Sequence, residues 1–256
     1  PHEVLRKRWR ESLAQQRQNE IQLACTALPT LTDLELAMRS TSCGKAQGAD
    51  NIPGELLHYF PVELAAQVYP ALWKLLLHGQ EDLSYKGGKL VQAYKGRGPK
   101  HLCESFRSLL ISSQIGKAIH RTIRTYQADI FEKFMQKHQV GGKRMMPVTY
   151  GLHQVRAHLR HAQRHGDCAA VVFVDLTEAF YRIFRPLCMS STISDETLAA
   201  FLRKLNMPAS ALHELWALLD GPHALHMAGL PEHLQRSIAA IHSNTHFWMH
   251  TQTDVV

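Results

Sequence analysis

Apolar residues recur at helical spacing along most of the chain, and only four short segments show the pattern of a strand. The spacing predicts helices over residues 1–24, 32–38, 62–78, 115–138, 149–165, 195–205, 209–219 and 232–242. Strands are predicted over residues 89–95, 108–112, 169–175 and 246–251. Because helices dominate and the strands come from distant parts of the sequence, the fold class is predicted to be α+β.

Local signals refine several of these elements. Thr32, with Glu35 three residues on, has the spacing of a capping box and is predicted to begin the second helix. Pro70 falls inside the helix over 62–78 and is expected to kink it or split it in two. The strands over 89–95 and 108–112 are predicted to pair as a hairpin with a basic loop between them.

The segment Ala169–Asp175 is a short, Val-rich apolar run that ends in a carboxylate. Such a run predicts a buried strand with Asp175 held at its rim. A carboxylate in that position suits a hard cation such as Mg²⁺. It equally suits the N-cap of a following helix. The segment alone leaves both interpretations open.

Composition sets the scale of the protein. The chain has 256 residues, of which 45% are hydrophobic, enough for a sizeable core in one domain or two lobes. The five cysteines form no CxxC pair, which is typical of a reducing compartment, so an intracellular location in cytoplasm or nucleus is expected. Apolar runs fall short of the roughly 18–20 residues that cross a membrane, so no membrane association is expected.

Positive charge is concentrated in one part of the chain. The net charge is +7, and the segment from Lys86 to Arg124 contains nine basic residues and one acid, Glu104. A localised positive field of this kind indicates a polyanionic ligand, either nucleic acid or a triphosphate.

Other kinds of site have less support. Two sets of histidines, 158/161/165 and 242/246/250, have spacings that could bring imidazoles together. Neither set has a Cys or carboxylate partner in register, so a hydrated polar face is the better interpretation. The sequence also contains neither a Walker-type phosphate loop nor a Gly-x-Ser-x-Gly element.

Five ordered motifs point to a family. In chain order they are Gly48-x-Asp50-x-Ile52-Pro53, the basic hairpin with Lys95 and Arg107, Ile115-Gly-Lys117, Gln139-Val-Gly141 and Phe173-Val-Asp175-Leu-Thr-Glu-Ala-Phe180. Together they resemble the reverse transcriptase domain of non-LTR (LINE-type) retrotransposons over roughly residues 40–185. Two departures, Tyr181 after Phe180 and Ser108 after Arg107, mark a divergent branch.

The resemblance implies an RNA-directed DNA polymerase with helix-rich fingers and palm and few strands. Asp175 and the main-chain carbonyl of Leu176 would be ligands of Mg²⁺, or of Mn²⁺ in its place. Lys95 and Arg107 would contact the triphosphate of an incoming deoxynucleotide, and Phe180 would lie against its sugar. The expected partners are an RNA template, a DNA primer and deoxynucleoside triphosphates.

The same resemblance divides the chain into three regions. Residues 1–39 are predicted to be a helical flank, 40–165 a fingers-like region and 166–256 a partial palm. The second palm motif of the family, Tyr-x-Asp-Asp, is missing, since no Asp-Asp pair occurs in the sequence. We therefore expect a fragment that has no polymerase activity alone. Two alternatives stay open: a group II intron maturase-like polymerase, and a non-catalytic RNA-binding relic of the same fold.

Overall fold

The computed structural model describes residues 28–175, 185–189, 214, 217 and 221–249. The helices are α1 (Leu31–Arg39), α2 (Gly54–Tyr59), α3 (Pro61–His78), α4 (Gln114–Tyr126), α5 (Ala128–Phe134), α6 (Val148–His165), α7 (Arg185–Cys188), α8 (Ala224–Met227) and α9 (Glu232–His242). The strands are β1 (Gly87–Tyr94), β2 (Phe106–Ser112) and β3 (His246–Trp248). The α+β prediction is confirmed, while the helices predicted over 1–24 and 195–205 lie outside the described residues.

The core is built where α1, α3, α4 and α9 pack together. Each helix contributes one apolar stripe whose large side chains are almost completely buried: Leu34, Met38, Leu72, Leu75, Leu76, Ile119, Ile123 and Leu234. Within the described residues, no helix is long and apolar enough to cross a membrane.

The helix α3 runs unbroken for 18 residues through Pro70. Pro70 and Ala66, whose carbonyl loses its helical donor, are both exposed, so water can satisfy that carbonyl. Of the two predicted outcomes, the split at Pro70 is therefore wrong, and the kink stays a prediction. The helix ends at Gly79, whose φ of 61° suits glycine and whose amide donates to the carbonyl of Leu75 at 2.8 Å.

The long helix predicted over 115–138 is instead two helices, α4 and α5. They meet at Gln127, which is both the C-cap of one and the N-cap of the other. The α4 part has the stronger pattern, with Ile119 and Ile123 buried in the core, whereas α5 contributes no fully buried residue. The apolar spacing continued through the bend, so the sequence pattern did not reveal it.

Three strands form one sheet in the order β2-β1-β3. The predicted hairpin is confirmed: β1 and β2 are antiparallel and pair from Gly88 with Ser112 to Tyr94 with Phe106. The third strand, β3, runs parallel to β1 and pairs with its first three residues. A Cβ atom at Gly88 would lie 2.3 Å from the carbonyl oxygen of Ile111, so the root of the hairpin requires glycine.

The buried strand predicted over Ala169–Asp175 is not observed. These residues have no regular secondary structure, and the exposed fractions of Val172, Phe173 and Val174 are 81%, 90% and 79%. A strand needs a neighbour to accept and donate its backbone hydrogen bonds. None of the three described strands pairs with this segment, so its apolar pattern alone does not produce a strand.

Buried polar contacts tie the start of the sheet to the helices. The imidazole of His120 on α4 contacts the buried carboxylate of Glu81, which lies just before β1. The ammonium of Lys86 donates to the hydroxyl of Ser243 at 3.3 Å, which joins the residue just before β1 to the C-terminus of α9. Burial lowers the pKa of Lys86, although the nearby Glu81 raises it. The hairpin thus projects from a root fixed on two sides.

The N-cap of α1 lies two residues before the predicted one. Thr30, not Thr32, is the N-cap: its hydroxyl accepts from the amide of Asp33 at 3.2 Å. The carboxylate of Asp33 accepts from the amide of Thr30 at 2.7 Å, which completes a reciprocal capping box. Thr30 has the extended backbone that an N-cap needs, whereas Thr32 lies inside the first turn.

These two threonines provide a matched test of the cap. Thr30→Ala should lower the free energy of unfolding by about 1 kcal/mol, because it removes the capping hydroxyl. Thr32→Ala removes the same atoms from an exposed helical position and should change stability by no more than a few tenths of a kcal/mol. Urea unfolding followed by circular dichroism measures both. Equal losses for the two variants would contradict the assignment of the cap to Thr30.

Candidate nucleotide and nucleic-acid site

The hairpin places Lys95 and Arg107 on the same face. Arg107 lies directly opposite Ala93, and Lys95 is two residues beyond Ala93, so all three side chains share one side of the pleat. Diagonal neighbours of this kind are about 7–8 Å apart. Both side chains are exposed. Two cations on one open face, at this separation, match neighbouring phosphate groups.

The tip of the hairpin is held by its own side chains. Tyr94 packs against Phe106 with ring centroids 5.6 Å apart, and its hydroxyl donates to the carbonyl of Gly98 at 2.7 Å. The ammonium of Lys95 donates to the carbonyl of Glu104 at 2.7 Å. The side chain of Arg107 forms no hydrogen bond or ion pair with another described residue. Its guanidinium is therefore free to bind an external anion. Lys95 would have to release the carbonyl of Glu104 before its ammonium could bind one.

The Gly48-x-Asp50-x-Ile52-Pro53 loop packs against the base of this hairpin. A Cβ atom at Gly48 would lie 2.7 Å from the amide nitrogen of Ser113, between β2 and α4. One oxygen of Asp50 accepts from the amide of Ile52 at 3.2 Å, and the other is buried without a hydrogen bond. The motif thus joins a loop to the hairpin by close backbone contact, and Asp50 shapes the turn.

A cationic cleft lies between this loop, β2 and α4. Its volume is about 270 Å³, and three of its lining side chains are positively charged: Lys45, Lys117 and Arg121. Leu110 and Ile111 of β2 form an apolar part of the wall. A concave surface with three cations and an apolar wall suits an anionic group carried on a larger ligand.

Two side chains from α4 fix the shape of the cationic cleft. Arg121 donates to the carbonyl of Ala37 at 3.0 Å and to the hydroxyl of Ser40 at 2.7 Å, so it also caps the end of α1. Gln114 is buried and donates to the carbonyl of Ala46 at 3.0 Å, which holds the loop against the helix. Arg121 is therefore a structural tie as well as a source of positive potential.

Lys117 is the most electrostatically strained group in the cationic cleft. Partial burial lowers its pKa below the ordinary value, and the nearby guanidinium of Arg121 lowers it further, while Asp50 acts in the opposite direction. The protein thus keeps a partly desolvated ammonium beside another cation. An anion in the cleft would relieve this cost.

The structure divides the basic segment that the sequence identified. Lys86 is buried, Lys95 and Arg107 lie on the hairpin face, and Lys117 lies in the cationic cleft. Lys45 joins the cleft from outside the segment, and sequence reasoning missed it as a site residue. The signal was present, since Lys45 lies three residues before Gly48, but a single lysine in a loop is too common to single out.

The other predicted site residues are not brought together by the described part of the chain. Asp175 is exposed at the end of the irregular segment and forms no hydrogen bond or ion pair with another described residue. Leu176 and Phe180 lie outside the described residues. Among those that are described, no group of three or more His, Cys, Asp or Glu side chains could hold a metal ion.

Comparison with known proteins agrees with the resemblance drawn from the motifs. Over 153 residues, covering 58% of this chain, the sequence is 24% identical to a Drosophila melanogaster protein described as a probable RNA-directed DNA polymerase from transposon BS. The chain spans 17% of the length of that protein. No protein-family profile matches the chain. The resemblance drawn from the ordered motifs is confirmed by this similarity.

The strained lysine yields a test in which stability depends on pH. Lys117→Met keeps the apolar stem and removes the ammonium, so the variant should unfold at a higher temperature than wild type near neutral pH. Because the folded pKa is lowered, the unfolded chain binds more protons, and wild-type stability should gain on the variant as pH rises toward 10.5, the ordinary value.

Thermal unfolding of both proteins across this alkaline window measures the difference. Lys86 and Tyr85 titrate in both proteins, so their contributions largely cancel in the comparison. A variant that is less stable than wild type at neutral pH would show that Lys117 contributes net stabilising contacts, contrary to this account.

Proposed function

We propose that this chain is the fingers and first palm segment of a retrotransposon reverse transcriptase, which acts with an RNA template, a DNA primer and deoxynucleoside triphosphates inside the cell. The observation that carries the proposal is the hairpin face with Lys95 and Arg107. The similarity to a transposon RNA-directed DNA polymerase supports it.

The two hairpin cations would bind the triphosphate of the incoming nucleotide in different ways. Arg107 offers a planar fork that can donate two parallel hydrogen bonds to phosphate oxygens, whereas Lys95 offers a compact point charge. Their spacing allows both to contact one triphosphate chain. The exposed guanidinium would bind first, since Lys95 must leave the carbonyl of Glu104.

The cationic cleft would bind the phosphate backbone of the template strand. Lys45 and Lys117 supply charge that neutralises phosphates without reading base sequence. Leu110 and Ile111 offer an apolar surface for the sugar or base attached to such a phosphate. This assignment supplies an anionic partner for the partly desolvated ammonium of Lys117.

The metal chemistry of the proposal depends on Asp175. Nucleotidyl transfer uses two Mg²⁺ ions to stabilise the attacking and leaving oxygens. The carboxylate of Asp175 is a ligand of the right type, but among the described residues it belongs to no group of three or more His, Cys, Asp or Glu side chains that could hold a metal ion. The ligand role of Leu176 and the sugar contact of Phe180 stay predictions. Because the sequence contains no Asp-Asp pair of the second palm motif, the chain by itself is expected to bind its substrates without joining them.

A non-catalytic RNA-binding role is the second candidate. It is favoured by one observation: two cationic surfaces are present, while no set of metal ligands is assembled among the described residues. This role requires the cations and makes Asp175 dispensable. The two candidates therefore differ in what happens when nucleotide, rather than RNA, is the ligand.

Moving one guanidinium tests the nucleotide grip. Arg107→Ser should weaken binding of a fluorescent deoxynucleoside triphosphate by about tenfold or more in the presence of a primer–template, since it removes charged hydrogen bonds. The double variant Arg107→Ser/Ser108→Arg keeps the net charge but moves the arginine to the opposite face of β2. It should lose as much affinity as the single variant. Fluorescence anisotropy measures all three proteins.

Wild-type affinity in the double variant would contradict a grip on one face. Lys133→Gln, at an exposed position of α5, removes one positive charge elsewhere and should leave nucleotide affinity unchanged. The RNA-binding role would be favoured if wild type did not bind the nucleotide and every variant bound RNA normally.

Primer extension tests the metal assignment. Wild-type chain and Asp175→Asn should both give no extension of a labelled primer on an RNA template in Mg²⁺, since the sequence lacks the Asp-Asp pair of the second palm motif that would complete a two-ion site. Gel electrophoresis of the primer measures the product. Efficient extension that persists unchanged in Asp175→Asn would rule out this residue as a metal ligand.

A further inference from the structure

The helix α6 carries positive charge that the proposed polymerase site does not use. Over its 18 residues it has three arginines, four histidines and no acidic side chain. Ala162 is its one buried residue, and most of its other side chains are exposed. The arginines lie in the C-terminal half of the helix, where they span about 12 Å along its axis.

The three arginines form a straight row along α6. Arg156, Arg160 and Arg164 are spaced four residues apart, which places them on one side of the helix at steps of about 6 Å. All three side chains are exposed. We call these three residues the arginine row. His158, His161 and His165 lie on a separate stripe, roughly a third of a turn away from the row.

The arginines of the row repel one another, although Arg164 in the last turn interacts favourably with the helix dipole. Like charges four residues apart destabilise a helix by about 0.2–0.5 kcal/mol per pair. None of the three guanidinium groups forms a hydrogen bond or ion pair with another described residue. Since no acid of α6 offsets the repulsion, the row is more easily explained by an external polyanion than by the stability of the fold.

We propose that the arginine row binds consecutive phosphates of a nucleic-acid strand, as a second contact independent of the hairpin and the cationic cleft. An exposed row of guanidinium forks at regular steps matches a repeating anion, and each fork can donate two hydrogen bonds to one phosphate. The contact is to the backbone and carries no base preference. Its role is to add affinity for RNA.

The surface beside the row favours nucleic acid over a lipid membrane. Helices that lie on membranes bury Trp, Phe or Leu on one face. The apolar stripe of α6 contains Val148, Leu152, Val155 and Leu159 and no aromatic residue, while Tyr150 lies on the opposite side. Val148 is 84% exposed, and Leu152 and Leu159 are half exposed, at 49% and 40%. The stripe thus offers a few aliphatic side chains for insertion but no aromatic anchor.

RNA binding by the full chain tests the arginine row. Wild type is compared with Arg156→Gln/Arg160→Gln/Arg164→Gln by fluorescence anisotropy of a labelled single-stranded RNA over a salt series. The plot of log affinity against log salt should become shallower by about two units, because each phosphate contact on a single strand contributes about 0.7. Affinity at low salt should fall by about tenfold or more. Unchanged affinity and slope would overturn the proposal.

Two controls keep the result interpretable. Arg156→Lys/Arg160→Lys/Arg164→Lys retains the charge, so it should keep most of the salt slope while losing part of the affinity. Glutamine is a good helix former, so the glutamine variant should melt at the same temperature as wild type or higher. Weaker RNA binding together with unreduced stability supports a binding role. A lysine variant as weak as the glutamine variant in both affinity and slope would overturn the phosphate contact.

Further arms separate this inference from the proposed polymerase site and from a membrane role. Combining the glutamine changes with Arg107→Ser should weaken RNA binding and nucleotide binding, each by the same factor as the corresponding changes alone, as expected for independent sites. If the hairpin variants bind nucleotide normally, the proposal for the arginine row still stands. If the glutamine changes leave RNA binding unchanged, the proposed nucleotide contact of the hairpin still stands. Binding of wild type to anionic phosphatidylserine vesicles in preference to RNA, abolished by the glutamine changes, would overturn the nucleic-acid assignment.

Discussion

The organisation of the site depends on one close backbone contact, that of Gly48 with Ser113. Any side chain at residue 48 would meet the backbone where β2 passes into α4. Because the contact is made without a side chain, the loop reaches the hairpin root and the first turn of α4 at the same time. Gln114 then holds the carbonyl of Ala46, and Lys45 is carried to the edge of the cationic cleft. Hairpin, loop and helix are positioned by this junction.

The positively charged side chains differ in the contacts that hold them. Lys86 is buried near Glu81 and bonded to Ser243, so it serves the fold. Arg121 serves both the fold and the cationic cleft, since its hydrogen bonds close the end of α1. Lys117 and the arginines of α6 lack comparable support. Positive groups that reduce stability are expected at sites selected for binding rather than for folding.

Much of the fold was predictable because local rules decided it. The pairing of β1 with β2 follows from the two runs and their basic loop, and α3, α6 and α9 follow from apolar spacing. The errors fall where tertiary context outweighs local pattern. The bend at Gln127 leaves the apolar spacing intact, and Pro70 is tolerated because its face is exposed. The segment over 169–175 has the composition of a strand but no described strand beside it.

The sequence by itself determined the motif order, the similarity to a reverse transcriptase and the presence of Lys95 and Arg107 on one strand pair. Those are properties of order and spacing along the chain, whereas the shared face of the two cations depends on the register between β1 and β2. Only the tertiary structure decided which cations act together. It buried Lys86, tied Arg121 to α1 and brought Lys45 to Lys117, because these contacts join residues separated by tens of positions. Sequence patterns register neighbours in the chain, whereas a cleft is made by neighbours in space.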